Sequence, residues 1–199
     1  MKIYGDAISG NCFKIKLLAS ILDIPHQWVH VDVVGGGALT EQFLAKNPNA
    51  KVPLLELDDG RFLSESNAII DYLAFGTALF PEDDFNRAKI LQWQFFEQYS
   101  HEPYIAVARF IAKFQGLPVH RKAEYAAKQE GGHKALKVMD LQLAVTRYLV
   151  GEVLTVADIT LYAYTHVAHE GGFSLSAYPN IQAWMQQISN HPNYVGMET

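Results

Sequence analysis

Residues 51–66 read KVPLLELDDGRFLSES, and this stretch decides how the fold of the chain is interpreted. A short apolar run opens at Val52, reverses direction at 58–60 (DDG) and returns through 62–63 (FL). Asp and Gly at the reversal are typical of a tight turn between two paired strands. The stretch therefore predicts a β-hairpin, after which Ser66 is placed to cap a helix.

Two features of this hairpin have alternative interpretations. Pro53 lacks an N–H and is unusual at the start of a strand. A cis peptide bond would explain it by turning the Val52 backbone outward to pair with an extended ligand, although trans is the commoner state. At the following helix start, Ser66 can cap the helix or hold a ligand carboxylate, and Glu65 can accept an ammonium group.

The residues before the hairpin predict a mixed α/β arrangement. Strands are expected at 2–4 and 26–33, and helices at 12–23, 40–46 and, after the hairpin, 66–75. In the helix at 12–23, Lys14 and Lys16 lie off the apolar stripe. The order is βαβ followed by ββα, which indicates a sheet with both parallel and antiparallel pairs.

The second half of the chain has a different character. After an acidic linker at 78–84, helical patterns cover 85–114, 120–149, 155–169 and 179–190. Pro103 lies inside the first of these helices and is expected to kink it. Thr155 and Asp158 resemble a capping box, for which we expect a purely structural role.

Composition excludes several classes of protein. The 199 residues are 49% hydrophobic and 19% charged, with a net charge of −5, which gives no reason to expect nucleic acid or an anionic membrane as a partner. No apolar stretch approaches the roughly 20 residues that span a bilayer, and the N-terminus does not resemble a signal peptide. Cys12 is the single cysteine, which excludes an intramolecular disulfide framework. We expect a cytoplasmic protein, from the absence of targeting signals more than from the cysteine. The histidines do not have the spacing of a metal site.

Residues 9–12 (SGNC) form a second candidate site, because they lie between the first predicted strand and helix. Unpaired N–H groups and the helix dipole favour negative charge at such a place. Ser9 can donate a hydrogen bond to a thiolate there, or Ser9 and Asn11 can simply cap the helix. Cys12 can be a redox thiol with a lowered pKa or, as we favour, a small buried residue.

Taken together, these features resemble the cytosolic glutathione transferases, in particular bacterial members of the serine type. The resemblance covers nearly the whole chain and rests on the order of its motifs: Ser9-x-x-Cys12, Asn47-Pro48, Val52-Pro53, Glu65-Ser66, 154–158 (LTVAD) and 178–184 (YPNIQAW). It implies an α/β thioredoxin-like N-terminal domain over residues 1–77 and an all-α helical C-terminal domain over residues 85–199. It also implies a homodimer that acts in detoxification.

The resemblance implies that the hairpin edge binds glutathione. Pro53 would be cis, and the Val52 backbone would pair with the cysteinyl part of the peptide. Lys51 would lie near the glycyl end, while Glu65 and Ser66 would hold the γ-glutamyl end.

Catalysis would fall to the start of the first helix. Ser9 would occupy the catalytic position, and Asn11 could share or take over the contact with the thiol. The activated thiol would attack a hydrophobic electrophile such as an aromatic halide, with glutathione as co-substrate and no metal. His101, Tyr104 and Arg109 are expected to face the electrophile. The alternatives are glutathione-dependent reduction of disulfides or peroxides, and a non-catalytic interaction protein of the same fold.

The chain departs from the family pattern at several positions. Many serine-type relatives carry proline before Cys12 and arginine after it, where this chain has Asn11 and Phe13. Ala50 stands where a histidine is frequent, and Asn67 stands where an arginine or similar residue often follows the Glu-Ser pair. These differences concern individual glutathione contacts and leave the predicted fold unchanged.

Overall fold

The structure is a computed structural model and describes residues 1–197. The chain forms two compact units. One comprises Met1–Phe75 together with the C-terminal segment that starts at His191, and the other comprises Gly76–Asn190.

The return of the C-terminal segment to the first unit was not predicted from the sequence. Polar contacts with one helix hold it there. The Ser20 hydroxyl donates to the carbonyl oxygen of Asn193 at 2.8 Å, and Lys16 Nζ donates to that of Met197 at 3.2 Å. Because these contacts join residues more than 170 positions apart, no local sequence pattern predicts them.

The first unit is built on a four-stranded mixed sheet in the order β2-β1-β3-β4. The strands are β1 (Lys2–Gly5), β2 (Gln27–His30), β3 (Leu54–Glu56) and β4 (Phe62–Ser64). β1 is parallel to β2 and antiparallel to β3, and β3 and β4 form the predicted hairpin. This confirms the α/β thioredoxin-like arrangement, in which a helical crossover joins the parallel pair and a tight turn joins the hairpin.

Helices cover both faces of this sheet. They are α1 (Gly10–Ile21), α2 (Glu41–Leu44) and α3 (Ser66–Ala74). Ile3 of β1 is fully buried on the same face as Gly5, where an added Cβ would lie 3.0 Å from Cys12 Sγ of α1. On the other face, Tyr4 and Leu54 pack with Phe43 of α2. Helix α3 packs beside α1, and a hydrogen bond from Ser66 to Asn11 shows that the N-termini of the two helices lie close together.

The second unit is helical, as predicted. Its α-helices are α4 (Asp84–Phe96), α5 (Glu102–Arg109), α6 (Lys122–Leu143), α7 (Val156–Thr165) and α8 (Pro179–Ser189). Shorter segments are π-helical at Glu97–His101 and Phe110–Phe114, and 3-10 helical at Val119–Arg121 and Ala168–Gly171. Within residues 1–197, none of the helices has the length and apolar character needed to cross a bilayer.

The long helix predicted over 85–114 is divided where the sequence predicted a kink. A π-helical turn at Glu97–His101 separates α4 from α5, and Pro103 lies in the first turn of α5. Proline has no N–H to donate to the carbonyl four residues earlier, so the regular hydrogen-bond ladder is interrupted at Pro103.

The predicted capping box is present at the start of α7 and ties three segments together. Asp158 is fully buried, and its carboxylate accepts from the Thr155 N–H at 2.9 Å, the Leu149 N–H at 2.8 Å and Trp184 Nε1 at 2.9 Å. Burial raises the pKa of the Asp158 carboxyl above its ordinary value, although the hydrogen bonds act to lower it. These contacts fit the structural role expected for the capping box.

Candidate functional site

Ser9 is the N-cap of α1. Its backbone is extended (φ −84°, ψ 122°), and its hydroxyl oxygen accepts from the Cys12 N–H at 3.4 Å. The buried carboxylate of Asp6 fixes the loop before it by accepting from the Ile8 N–H at 3.2 Å and the Val33 N–H at 2.9 Å. The predicted capping role is therefore present. Because a hydroxyl that accepts one hydrogen bond can still donate another, Ser9 also retains a donor.

Asn11 and Ser66 bring the two helix starts together. The Ser66 hydroxyl, in the first turn of α3, donates to Asn11 Oδ1 at 3.3 Å. Ser66 is buried and Asn11 is half-buried. Two helix N-termini thus share one site, and both contribute N–H groups and dipole ends that favour an anion.

Lys14 lies off the apolar stripe of α1, a position typical of an exposed side chain, and yet it is buried. It has no exposed surface, and its ammonium donates to Ser66 Oγ and to Asn67 Oδ1, at 3.2 Å in each case. The reason is that α1 is covered both by the sheet and by α3, so that residues off the stripe are buried as well. A lysine set among apolar residues on all sides of a helix is the sequence signal that could have revealed it.

The Val52-Pro53 peptide bond is cis, as the resemblance implied. The ladder between β1 and β3 ends at the Tyr4–Leu54 pair, so Val52 lies beyond the paired part of its strand. The buried side chain of Asn47 fixes the segment in front of it, because Asn47 Nδ2 donates to the carbonyl oxygen of Lys51 at 2.8 Å. This role of Asn47 was not predicted.

Glu65 has a backbone conformation that is rare for its residue type. It precedes α3 with φ +68° and ψ 114°, while its side chain is exposed. Residues other than glycine adopt positive φ at an energetic cost, and strained backbone of this kind is enriched at functional sites. The conformation places Glu65 next to the helix start that carries Ser66.

Cys12 lies in the first turn of α1 and is fully buried. The Asp6 N–H donates to its sulfur at 3.4 Å. Burial raises the pKa of the Cys12 thiol to about 11, although the Ser9 side chain and the Asp6 backbone act to lower it. Since the thiolate is the reactive form, these surroundings fit a packing residue and give no support to a redox thiol.

The three residues expected to face the electrophile lie in the second unit. His101 is fully buried and forms a hydrogen bond of 2.9 Å with Thr165 Oγ1. Arg109 is also buried and pairs with Glu170. Tyr104 is half-buried. The structure thus gives His101 and Arg109 partners inside the unit, and their contact with a substrate stays a prediction.

A cavity of about 470 Å³ lies elsewhere in the first unit, on the face of the sheet that packs against α2. It is lined in part by Tyr4, Phe43 and Lys46, and none of the residues predicted to bind glutathione lines it. Among residues 1–197, no group of three or more His, Cys, Asp or Glu side chains is arranged to hold a metal ion.

Two family models match the chain. The model for the N-terminal domain of glutathione S-transferase matches residues 3–75, and that for the C-terminal domain matches residues 84–192. The crystal structure of a glutathione S-transferase from Pseudomonas fluorescens Pf-5 is similar, with a TM-score of 0.98 and 58% sequence identity, and covers 100% of this chain and 98% of that one. The models for the N-terminal and the C-terminal domain of one family thus follow each other along this chain.

The curated relatives include an enzyme of similar length and part of a longer protein. Glutathione S-transferase F13 of Arabidopsis thaliana is 29% identical over 209 residues, which cover 98% of this chain and 93% of that protein. Elongation factor 1-gamma of Artemia salina is 34% identical over 194 residues, which cover 95% of this chain and 44% of that protein. The similarity thus extends to an enzyme of matching length and to part of a longer protein.

Proposed function

The chain belongs to the glutathione S-transferase family, and from that premise we propose that it activates the thiol of glutathione for attack on a hydrophobic electrophile. The observation that carries the proposal is the hydrogen bond between Ser66 and Asn11. It joins the start of α3, proposed to hold the γ-glutamyl end, to the start of α1, proposed to hold the sulfur. A peptide anchored at the start of α3 would therefore have its thiol beside the start of α1.

The hairpin edge is proposed to bind and align the peptide. Val52 lies beyond the β1–β3 ladder, which supports pairing of its backbone with the cysteinyl part of glutathione. The cis bond before Pro53 supports the same role. Glu65 would accept the ammonium group and Ser66 would donate to the α-carboxylate, while exposed Lys51 would lie near the glycyl carboxylate.

Ser9 and Asn11 are proposed to stabilise the thiolate. The thiol of free glutathione should have a pKa of about 8.5, and lowering it by about two units requires only about 2.7 kcal/mol. One or two charge-assisted hydrogen bonds and the α1 dipole can supply this. Ser9 retains its hydroxyl proton for donation, and Asn11, whose Oδ1 accepts from Ser66, retains its amide N–H groups.

The proposed reaction is a conjugation. The thiolate sulfur forms a bond to an electrophilic carbon, and in an aromatic halide the halide ion leaves. Calorimetric titration with glutathione, followed by turnover assays with a panel of aromatic halides, disulfides and peroxides, tests the proposal. We expect saturable binding and conjugation of at least one halide. Binding without turnover of any compound in the panel would contradict the catalytic part.

A non-catalytic interaction protein is the second candidate, and the similarity to elongation factor 1-gamma favours it. Failure to bind immobilised glutathione would support this alternative. A reductase that uses the Cys12 thiol is less well supported, because that thiol is buried and its pKa is raised to about 11. Reduction through the glutathione thiolate alone would use the same site as conjugation.

A further inference from the structure

Lys14 is buried beside the candidate site and has no part in the contacts proposed so far. Lysine is almost never fully buried unless it is paired, yet this side chain has no exposed surface. Two of the groups it contacts belong to the first turn of α3, since its ammonium donates to Ser66 Oγ and Asn67 Oδ1. A positive charge from α1 thus lies beneath the N-terminus of α3.

The Ser66 hydroxyl is an acceptor and a donor at the same time. Its oxygen accepts from Lys14 at 3.2 Å, and its proton is donated to Asn11 at 3.3 Å. A cation that donates to a hydroxyl oxygen polarises the O–H bond and strengthens the hydrogen bond that the hydroxyl donates. Lys14 therefore fixes the direction of the Ser66 proton and makes Ser66 a better donor.

A carboxylate near Ser66 would benefit from this arrangement in two ways. The polarised hydroxyl can donate to the carboxylate in place of the neutral amide oxygen of Asn11, because an ionised acceptor forms the stronger hydrogen bond. The buried ammonium also adds its positive charge to that of the helix N-terminus. Both effects depend on the negative charge of the ligand group.

We propose that Lys14 is a positioning residue for the α-carboxylate of the γ-glutamyl group of glutathione, and that it acts through Ser66 without touching the ligand. This inference rests on the proposed function, because it requires glutathione in the site. It predicts that the contribution of Lys14 to binding disappears when the ligand lacks that one carboxylate.

The test compares two ligands on the full chain. One is glutathione, and the other is its decarboxylated analogue, in which a 4-aminobutanoyl group replaces the γ-glutamyl group and keeps the amine. By calorimetry, we expect the wild type to prefer glutathione by at least about tenfold and Lys14→Met to prefer it by less than about threefold. Lys14→Arg, which keeps the charge, should recover part of the preference. In turnover assays, Lys14→Met should raise KM for glutathione and leave KM for the electrophile unchanged.

Lys16→Met is the matched control, because Lys16 lies two positions further along α1 and donates to the Met197 carbonyl oxygen instead. It should retain the full preference. If Lys14→Met does not fold, Lys14→Gln gives the same comparison, since it removes the charge but keeps hydrogen-bonding groups. An equal loss of affinity for both ligands would show a merely structural role and overturn the inference alone. Absence of glutathione binding by the wild type would overturn the proposed function as well.

Discussion

Ser9 and Asn11 stand two positions apart at the start of α1, and the structure gives them different surroundings. Ser9 Oγ accepts from a backbone N–H of its own helix, whereas Asn11 Oδ1 accepts from Ser66 of α3. Both retain donors for a sulfur anion. The sequence left open which of them contacts the thiol, and kinetics of single variants can separate them.

We expect Ser9→Ala to lower kcat by about 10- to 100-fold, because a lost hydrogen bond to a charged group costs roughly 1.5–3 kcal/mol. Affinity for glutathione should change by less than about threefold, since the hairpin edge supplies the peptide contacts. Steady-state kinetics and calorimetry give the two values. Ser20→Ala is the control, because Ser20 lies in the last turns of α1 and donates to Asn193. Unchanged turnover in Ser9→Ala, with a large loss in Asn11→Ala, would transfer the role to Asn11.

Cys12 should be inert in the folded protein. Its thiol is buried and its pKa is raised to about 11, so almost no thiolate exists at neutral pH. A disulfide reagent should label Cys12 only after unfolding. Cys12→Ala should retain conjugating activity, although the lost contacts of the sulfur should lower stability. Rapid labelling of the native protein, or loss of activity in a folded Cys12→Ala variant, would contradict this interpretation.

At the scale of elements, α1 shows what a sequence pattern can and cannot reveal. The periodicity predicted the helix, but it placed Lys14 off the apolar stripe. A stripe shows which residues share a face, and it does not show how many faces neighbouring elements cover. The contact from Lys14 to Ser66 spans 52 positions, so it follows from the packing of α1 beside α3 and from no local signal.

Element boundaries were less predictable than element types. The second strand was predicted over 26–33, but β2 is Gln27–His30. The strand ends at His30 because its partner β1 ends at Gly5, and further along the Val33 N–H donates to the Asp6 carboxylate. The predicted helix at 40–46 is likewise limited to Glu41–Leu44.

His166, at the C-terminal end of α7, is expected to make the stability of the protein depend on pH. Burial is the main cause that lowers the pKa of His166 to about 4 from an ordinary 6.5. Between these values the unfolded state binds the proton and the folded state does not, so stability falls as pH falls from about 6.5 to 4, by roughly 1.4 kcal/mol per pH unit. His166→Phe, which keeps an aromatic ring beside Tyr162, should lack this component.

Chemical denaturation of the wild type and of His166→Phe across this pH range gives the comparison. Carboxylates that titrate in the same range contribute to both proteins and cancel in the difference. Parallel stability curves for the two proteins would show that His166 titrates normally in the folded state.

At the scale of the whole molecule, the sequence predicted two units of different class, and the structure and the family comparisons agree. Three of the motifs that carried the resemblance coincide with particular backbone features. These are the cis bond at Val52-Pro53, the N-cap of α1 at Ser9 and the positive φ of Glu65. The cis bond was implied by the resemblance and the cap of α1 by the local residues, whereas the positive φ of Glu65 was not predicted. The partners of Lys14 depend on tertiary packing, and no local signal in the sequence predicted them.

We propose that the chain forms the homodimer that the resemblance implies, and exposed apolar side chains of the first unit fit such an interface. Phe62 of β4, Tyr72 of α3 and Phe75 are 40%, 50% and 69% exposed. Aromatic side chains are enriched at protein interfaces. Sedimentation should give twice the chain mass for the wild type and a shift toward the monomer for Phe75→Lys. Val119→Lys, at an exposed apolar residue of the second unit, is the control. A monomeric wild type would contradict the proposal.

The central claim is that the N-termini of α1 and α3 hold glutathione and stabilise its thiolate. The most direct measurement is a pH titration of the ultraviolet thiolate absorbance of glutathione bound to the wild type. We predict a midpoint about two units below the value of about 8.5 for the free thiol. A midpoint that stays at the value of free glutathione, or the absence of saturable binding, would contradict the claim.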